Sequence, residues 1–252
     1  MATRRRLDAE LVRRGLVTSR TEAGDAVGEQ RVLVNGAVAD KPARLVASGD
    51  ALVVTGPPPR FVGRGGEKLD AALARFGIAV TGLRALDVGA STGGFTDCLL
   101  ARGAREVVAL DVGHGQLHPR IRADPRVVVL ERTNVRTATP ATIGGLVDIV
   151  VVDVSFISLR VITPVLVTLC QPGSSMVLLV KPQFEAGKAE VDRVRGVIVD
   201  PAIHERVRDE VAEALVAAGC TVVDWTDSPI LGGQGNREFL VHAVTGASEG
   251  PS

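Results

Sequence analysis

Tyrosine is absent from this 252-residue chain, tryptophan occurs once, and aromatic residues make up only 3% of it. Any partner recognised by ring stacking would have to use phenylalanine, Trp225 or the planes of arginine side chains. Cysteine is scarce as well. Cys98, Cys170 and Cys220 are far apart and sit in apolar contexts, without metal-ligand spacing or a disulfide framework. They read as buried thiols in a reducing cytoplasm. Long apolar runs are missing: the best candidate, LVDIVVVDVSFISL, is too short to span a bilayer and carries Asp148 and Asp153. The opening MATRRRLDAE has arginines but no apolar run behind them, so it is not a signal peptide. These absences argue against a membrane protein and for a cytoplasmic one.

Net charge is also absent, but only in total. Residues 1–64 hold 11 Lys/Arg against 7 Asp/Glu, and the remainder is acidic by the same margin. A basic first part on an acidic body suggests an anionic partner for that part, the bland alternative being a solvated basic surface.

Residues 4–54 read as a small α+β unit. Leu7, Leu11 and Val12 recur at helical spacing and Gly15 stops that helix. Ser19 caps a second helix, with Glu22 three residues on as a capping box. Asn35-Gly36 lies between two short β-like runs, a strong hairpin signal. The prolines and glycines of TGPPPRFVGRGG then read as a linker. The expected division is a first domain over 1–58, a linker over 59–66, a second domain over 67–246 and a disordered tail over 247–252.

From residue 84 onward seven apolar runs alternate with helical patterns. They are RALDVG, EVVALDVG, RVVVLER, VDIVVVDVS, SMVLLVKP, TVVDWT and EFLVHAV. The clearest helix is PAIHERVRDEVAEALVAAG, with Pro201 in its first turn and Gly219 as its stop. This alternation predicts an α/β fold, a Rossmann-like doubly wound seven-stranded sheet, with an antiparallel strand allowed near the end.

In such a sheet a ligand lies at the carboxyl ends of the strands. The first run ends in LDVGASTGGF, so the loop Gly89–Gly94 belongs there. A dinucleotide fingerprint needs a second glycine where Ser91 stands, and a phosphate loop needs a Gly-Lys-Ser/Thr that is missing. The second run ends in Asp111, 24 residues after Asp87, where an acid can hold a ribose diol. The pattern favours S-adenosylmethionine over a dinucleotide, with both left open by the loop itself.

Four further residues stand out. Asp153 and Lys181 end apolar runs, Glu238 begins the last one, and Lys68 precedes the first. Singly, a lysine at a strand end is more often a solvated edge charge, and an aspartate there is as often a helix cap as a catalyst. Together, beside a loop of this kind, they resemble the Lys-Asp-Lys-Glu tetrad of FtsJ-like ribose 2′-O-methyltransferases. SRTEA, RGGEKL, DVGASTGGFT, DVGHGQL, VVDVSFISL, VKPQFE and GNREF extend that likeness over nearly the whole chain, and together they resemble the TlyA family.

The resemblance implies an enzyme that methylates the 2′-oxygen of cytidine in 16S and/or 23S ribosomal RNA, within 30S and/or 50S subunits. It needs S-adenosylmethionine but no metal, membrane or obligate protein partner. By the resemblance, Lys181 is the central base, Asp153 orients it, and Lys68 and Glu238 position the hydroxyl. Asp87, Gly89, Ala90, Ser91, Gly93, Gly94 and Phe95 shape the methionine end of the cofactor site, with Asp153 beside it. Asp111 and Val112 face the ribose and adenine, and Asn134 contacts the adenine or is simply a turn residue. The N-terminal unit resembles the small RNA-binding domain of a ribosomal protein, and its RNA-binding candidates are Arg4, Arg5, Arg6, Arg13, Arg14, Arg20 and Arg31. Three other readings stay open: an NAD-dependent enzyme on the same sheet, a non-catalytic RNA-binding or ribosome-assembly factor, and a haemolysin.

Overall fold

The computed structural model describes residues 4–17, 19–56, 59–187, 190–191, 196–232 and 235–246. The expected tail, 247–252, lies outside them. Contacts divide the chain into two units, Met1–Arg64 and Gly65–Ser252. Gly65 and Gly66, read as linker from the sequence, are the first residues of a helix of the second unit.

The first unit opens with β1 (Arg5–Arg6) and α1 (Leu7–Arg13), followed by α2 (Arg20–Gly28). Then come β2 (Val32–Val34), β3 (Ala37–Val38), β4 (Leu45–Val46) and β5 (Leu52–Val54). Leu7 and Leu11 lie one turn apart and are fully buried, which is what selects the inward face of α1. Gly15 follows at a φ of +68°, and its N–H donates to the Val12 carbonyl. The Ser19 hydroxyl oxygen accepts from the Glu22 amide at 3.1 Å, capping α2. Asn35 and Gly36 both take positive φ, 52° and 83°, the conformation that a two-residue hairpin between β2 and β3 requires. Strands β3, β2 and β5 form one antiparallel sheet. The second small sheet, β1 against β4, has no counterpart in the sequence signals. Two-residue strands have no period to read.

The second unit carries α3 (Gly65–Phe76), β6 (Arg84–Val88), α4 (Gly94–Ala101), β7 (Glu106–Leu110), α5 (Pro119–Arg122) and β8 (Val127–Leu130). It continues with β9 (Val147–Val152), α6 (Leu159–Thr168), β10 (Cys170–Val180), α7 (Pro182–Glu185), α8 (Pro201–Ala217), β11 (Cys220–Asp227) and β12 (Phe239–Thr245). The seven strands stand in the order β11-β12-β10-β9-β6-β7-β8. Only β12 is antiparallel, to both β10 and β11. All seven predicted runs are strands of this sheet. The core of β9 is a continuous apolar run because it is buried on both faces, Ile149 to Val152 being wholly inaccessible. From β6 the chain runs outward to β7 and β8 on one side and later to β9 and β10 on the other. The crevice of a doubly wound sheet therefore opens between the carboxyl ends of β6 and β9. Glu238 was read as the start of the last strand; β12 begins one residue later, which leaves Glu238 on the loop before it.

Candidate active site

Gly89 takes a φ of +84°, and a Cβ there would lie 2.4 Å from the Asp153 carbonyl oxygen. The close approach of β9 to the end of β6 thus demands glycine before any ligand is considered. Ser91 stands where a dinucleotide fold has its second glycine, and it takes the left-handed conformation, φ 48°. Its amide donates to Asp111 Oδ2 at 2.8 Å, and the Gly113 amide donates to Asp111 Oδ1 at 2.6 Å. Two backbone donors therefore fix the Asp111 carboxylate at the end of β7.

Two of the predicted loop residues lie behind this surface. Gly93, φ +94°, precedes α4, and a Cβ there would meet Leu117 at 2.8 Å, so its smallness serves packing. Asp87 is fully buried, accepts from the Thr96 hydroxyl at 2.6 Å, and leaves Oδ1 without a partner among the described residues. Burial, with a smaller push from Asp153, raises its carboxyl to about 7.

The remaining loop residues border two cavities that share Gly89, Ser91, Asp153 and Ser155. One, of about 210 Å³, is lined by Gly65, Ala90, Gly94, Phe95 and Lys181 besides the shared residues. Gly65 again marks a close approach, since a Cβ there would lie 3.3 Å from the Phe95 ring. The other, of about 460 Å³, is walled by Asp111, Val112, Asn134, Phe156 and Ile157 among others. The Asn134 side-chain oxygen accepts from the Arg136 amide at 3.0 Å, so the turn role and a place on the cavity wall coexist.

The four charged residues singled out in the sequence form two ion pairs. Lys181 Nζ lies 2.5 Å from Asp153 Oδ1 and also donates to Ser155 Oγ at 3.1 Å. Both Lys181 and Asp153 line the smaller of the two shared-wall cavities. Lys68, in the first turn and a half of α3, donates to Glu238 Oε2 at 2.5 Å across 170 positions of sequence. This second pair is more enclosed, with side chains 9% and 3% exposed. Gly232 packs so tightly against Glu238 that a Cβ would sit 2.3 Å from its Oε1. A third cavity, of about 260 Å³, touches both Lys181 and Glu238.

Sequence reasoning gave no site role to the other side chains of that third cavity, Ser155, Phe156, Gln183, Phe184 and Val191. Phe156 is 90% exposed and held at a φ of 65°, its ring centroid 5.0 Å from that of Phe184. An exposed aromatic with left-handed backbone is uncommon, and in a chain this poor in aromatics its presence was the available signal. Gln183 lies two residues after Lys181, inside the VKPQFE run of the family likeness, but its residue type gave it no site role.

In the first unit, Asp8 and Glu10 are buried carboxylates gripped by the candidate arginines. Arg6 and Arg20 reach Asp8 at 2.9 and 2.8 Å, and Arg13 and Arg14 reach Glu10 at 2.6 and 2.8 Å. Hydrogen bonds from these guanidinium groups hold both acids well below the usual carboxylate range. Arg4, Arg5, Arg6, Arg13 and Arg20 keep exposed heads. Arg14 does not: it is spent on the carbonyls of Asp50 and Ser48 at 2.7 and 2.9 Å. Arg31 is mostly covered and paired with Glu29.

Comparison with known proteins agrees with this layout. Residues 61–245 match the model of the FtsJ-like methyltransferases and residues 5–52 that of the S4 domain. A relative from Mycobacterium tuberculosis, named 16S/23S rRNA (cytidine-2′-O)-methyltransferase TlyA, is 51% identical over 96% of this chain and 90% of its own. A relative from Brachyspira hyodysenteriae named Hemolysin A is 39% identical over 95% and 99%. A solved structure that carries a hemolysin name, from Streptococcus thermophilus, matches at 40% identity and a TM-score of 0.78, over 98% of this chain and 90% of that one. The N-methyltransferase NodS from Bradyrhizobium japonicum, solved with S-adenosyl-L-homocysteine, covers 72% of this chain and 86% of its own at 19% identity and a TM-score of 0.52, a likeness of fold alone.

Proposed function

The chain belongs to the TlyA family of FtsJ-like methyltransferases, and on that footing we propose that it methylates the 2′-hydroxyl of cytidine in 16S and/or 23S ribosomal RNA, with S-adenosylmethionine as donor. The observation that carries this reading is the pair of lysine–carboxylate contacts set beside a glycine-loop cavity.

The residues present fit that donor. The cavity lined by Gly65, Ala90 and Phe95 is narrow and polar enough for an amino-acid tail, and the larger one beside it offers a pre-fixed carboxylate and apolar side chains. Asp111, already oriented by two amides, retains lone pairs for a ribose diol. Val112 and Ile157 would flank the adenine. When bound, S-adenosylmethionine supplies an electrophilic methyl group on a sulfonium.

The chain's own groups then have three tasks. Lys181, held by Asp153 and Ser155, keeps its remaining Nζ position for the ribose hydroxyl and would accept that hydroxyl's proton as the methyl–sulfur bond breaks in favour of the new C–O bond, its electron pair staying on sulfur. Asp153 fixes that amine and offsets its positive charge. Lys68, locked to Glu238, would fix that carboxylate at the edge of the third cavity, where it can hold the sugar at the angle an in-line displacement needs. Phe156 offers a face on which an unstacked base can lie. The first unit, with exposed arginine heads on buried acids, docks RNA through phosphate contacts.

Labelled S-adenosylmethionine, incubated with the full chain and ribosomal subunits, tests the proposal. Label is expected at a cytidine 2′-oxygen, seen as resistance of one phosphodiester to alkali. RNA binding without transfer would favour the non-catalytic reading instead.

A further inference from the structure

The chain segments that carry Asp153 and Lys181 are joined a second time beyond the sheet. The parallel ladder between β9 and β10 ends at the pair Val152–Leu178. Past it the two segments meet through side chains, in the same order along both. Lys181 reaches Asp153 and Ser155. Phe184 meets the ring of Phe156. Glu185, the last residue of the VKPQFE run, accepts from the Ser158 hydroxyl at 2.5 Å and from the Leu159 amide at 2.8 Å. Arg160 closes the same junction, donating to the Glu185 carbonyl oxygen at 2.8 Å.

These contacts differ in what water can do to them. Phe156 stands in solvent, and Lys181 and Asp153 border open cavities. Glu185 is 3% exposed, so its hydrogen bonds meet little competition from solvent and make the stiff end of the junction. Capping alone does not call for it. Helix α6 has its own cap in Ser158, whose oxygen accepts from the Arg160 amide at 3.2 Å. What Glu185 adds is a fixed spacing between the segment bearing Lys181 and the segment bearing Asp153, Ser155 and Phe156. We propose that Glu185 is a positioning residue for methyl transfer: it holds these two segments in register, and so keeps Lys181 Nζ on Asp153 and Ser155 at the cavity wall. The inference rests on the reading of Lys181 as the group that takes the ribose proton, and adds to it the residue that keeps that group aligned.

Variants of the full chain that separate charge from reach test this. Glu185→Gln loses the charge and keeps the length, its oxygen accepting from the Leu159 amide while its own amide donates to the Ser158 hydroxyl oxygen. Glu185→Asp keeps the charge and is one methylene short of both partners. Single-turnover transfer to ribosomal subunits is measured with S-adenosylmethionine and RNA saturating, well below the unfolding temperature of each variant, and both affinities are measured separately. Glu185→Gln is expected to stay within about threefold of wild type, whereas Glu185→Asp and Glu185→Ala should slow transfer about tenfold or more at unchanged affinities, as a small misplacement of reacting groups does. A glutamine variant as slow as the alanine variant would overturn the proposal, because charge and not reach would then matter. So would an aspartate and an alanine variant that transfer at the wild-type rate and lose only thermal stability, which would leave Glu185 a helix cap, or variants slowed only through weaker cofactor or RNA binding. If Glu185→Ala does not fold, the glutamine and aspartate variants decide alone. No transfer by the wild-type protein would instead overturn the methylation reading on which the proposal rests.

Discussion

The first unit and the crevice of the second bury carboxylates to opposite ends. In the first, Asp8 and Glu10 are buried so that arginines can be held outside: the acids are almost inaccessible, while Arg6, Arg13 and Arg20 stay about half exposed. At the crevice, acids bring cations inside: Lys68 and Lys181 are about nine-tenths covered by their contacts with Glu238, Asp153 and the surrounding walls. An arginine that cannot lose its proton is suited to display, where charge acts at a distance and responds to salt. A lysine can give up its proton, so enclosing it prepares short-range chemistry. Away from the crevice the second unit also holds arginines outside on buried acids, Arg120 on Asp97 and Arg160 on Glu185, and Asp87 is buried beside Thr96 with no cation at its carboxylate among the described residues.

The comparison breaks most visibly at Lys181. Lys181→Ala should lower kcat by a hundredfold or more, as for loss of a general base, with cofactor and RNA affinities near wild type. Lys181→Arg should not restore it, because arginine stays charged. If turnover in Lys181→Arg stays near normal in single-turnover assays, the enclosed and displayed cations do the same electrostatic work, and the contrast between the first unit and the crevice is lost.

Asp87 sharpens it through pH. Its carboxyl is pushed up to about 7 in the folded chain, against an ordinary value near 4, so between those limits the folded state binds the extra proton. The contribution of Asp87 to stability therefore falls as pH rises from about 4 to about 7 and levels off above. Asp87→Asn, which carries no charge to bury, should match wild type near pH 4 and exceed it near pH 8 in thermal unfolding. Asp8 and Glu10 have the opposite sign: their lowered values give stability that is present near neutrality and lost as pH drops below about 4.

Asp111→Ala should weaken S-adenosylmethionine binding by about 1.5–3 kcal/mol, the loss of a charge-assisted contact, read by calorimetry. Unchanged affinity in a folded variant would remove Asp111 from the site.

The smallest expected effect separates displayed from committed arginines. Arg4→Gln with Arg5→Gln should weaken RNA binding a few-fold and lower the salt slope by about one to two, leaving thermal stability unchanged. Arg14→Gln should do the reverse, costing stability through its lost carbonyl contacts while leaving the salt slope alone. Equal salt slopes for the two variants would show that exposure does not sort these arginines.

Much of this organisation was readable in one dimension. The apolar runs from residue 84 matched all seven strands, most plainly at β9 and its neighbours β6 and β10, where burial on both faces writes itself into consecutive residues. The Asn35-Gly36 turn, the Ser19 cap and the stop at Gly15 were equally plain, since each is a rule about a few adjacent residues. The positions of Asp153 and Lys181 at strand ends followed from the same local patterns and placed them near the crevice.

Pairing was the work of the folded chain. No local signal says that Lys68 and Glu238, 170 positions apart, meet at 2.5 Å, or that β12 inserts beside β10 to bring Glu238 there. None distinguishes Arg14, turned onto backbone carbonyls, from Arg13 one residue earlier with its head in solvent. The exposed ring of Phe156 likewise depends on what surrounds it and not on what adjoins it in sequence. Hydrophobic period and turn chemistry act over a handful of residues and so survive in the sequence. The partner of a charge or a polar atom is set by which strands become neighbours, a choice made by the burial of the whole sheet.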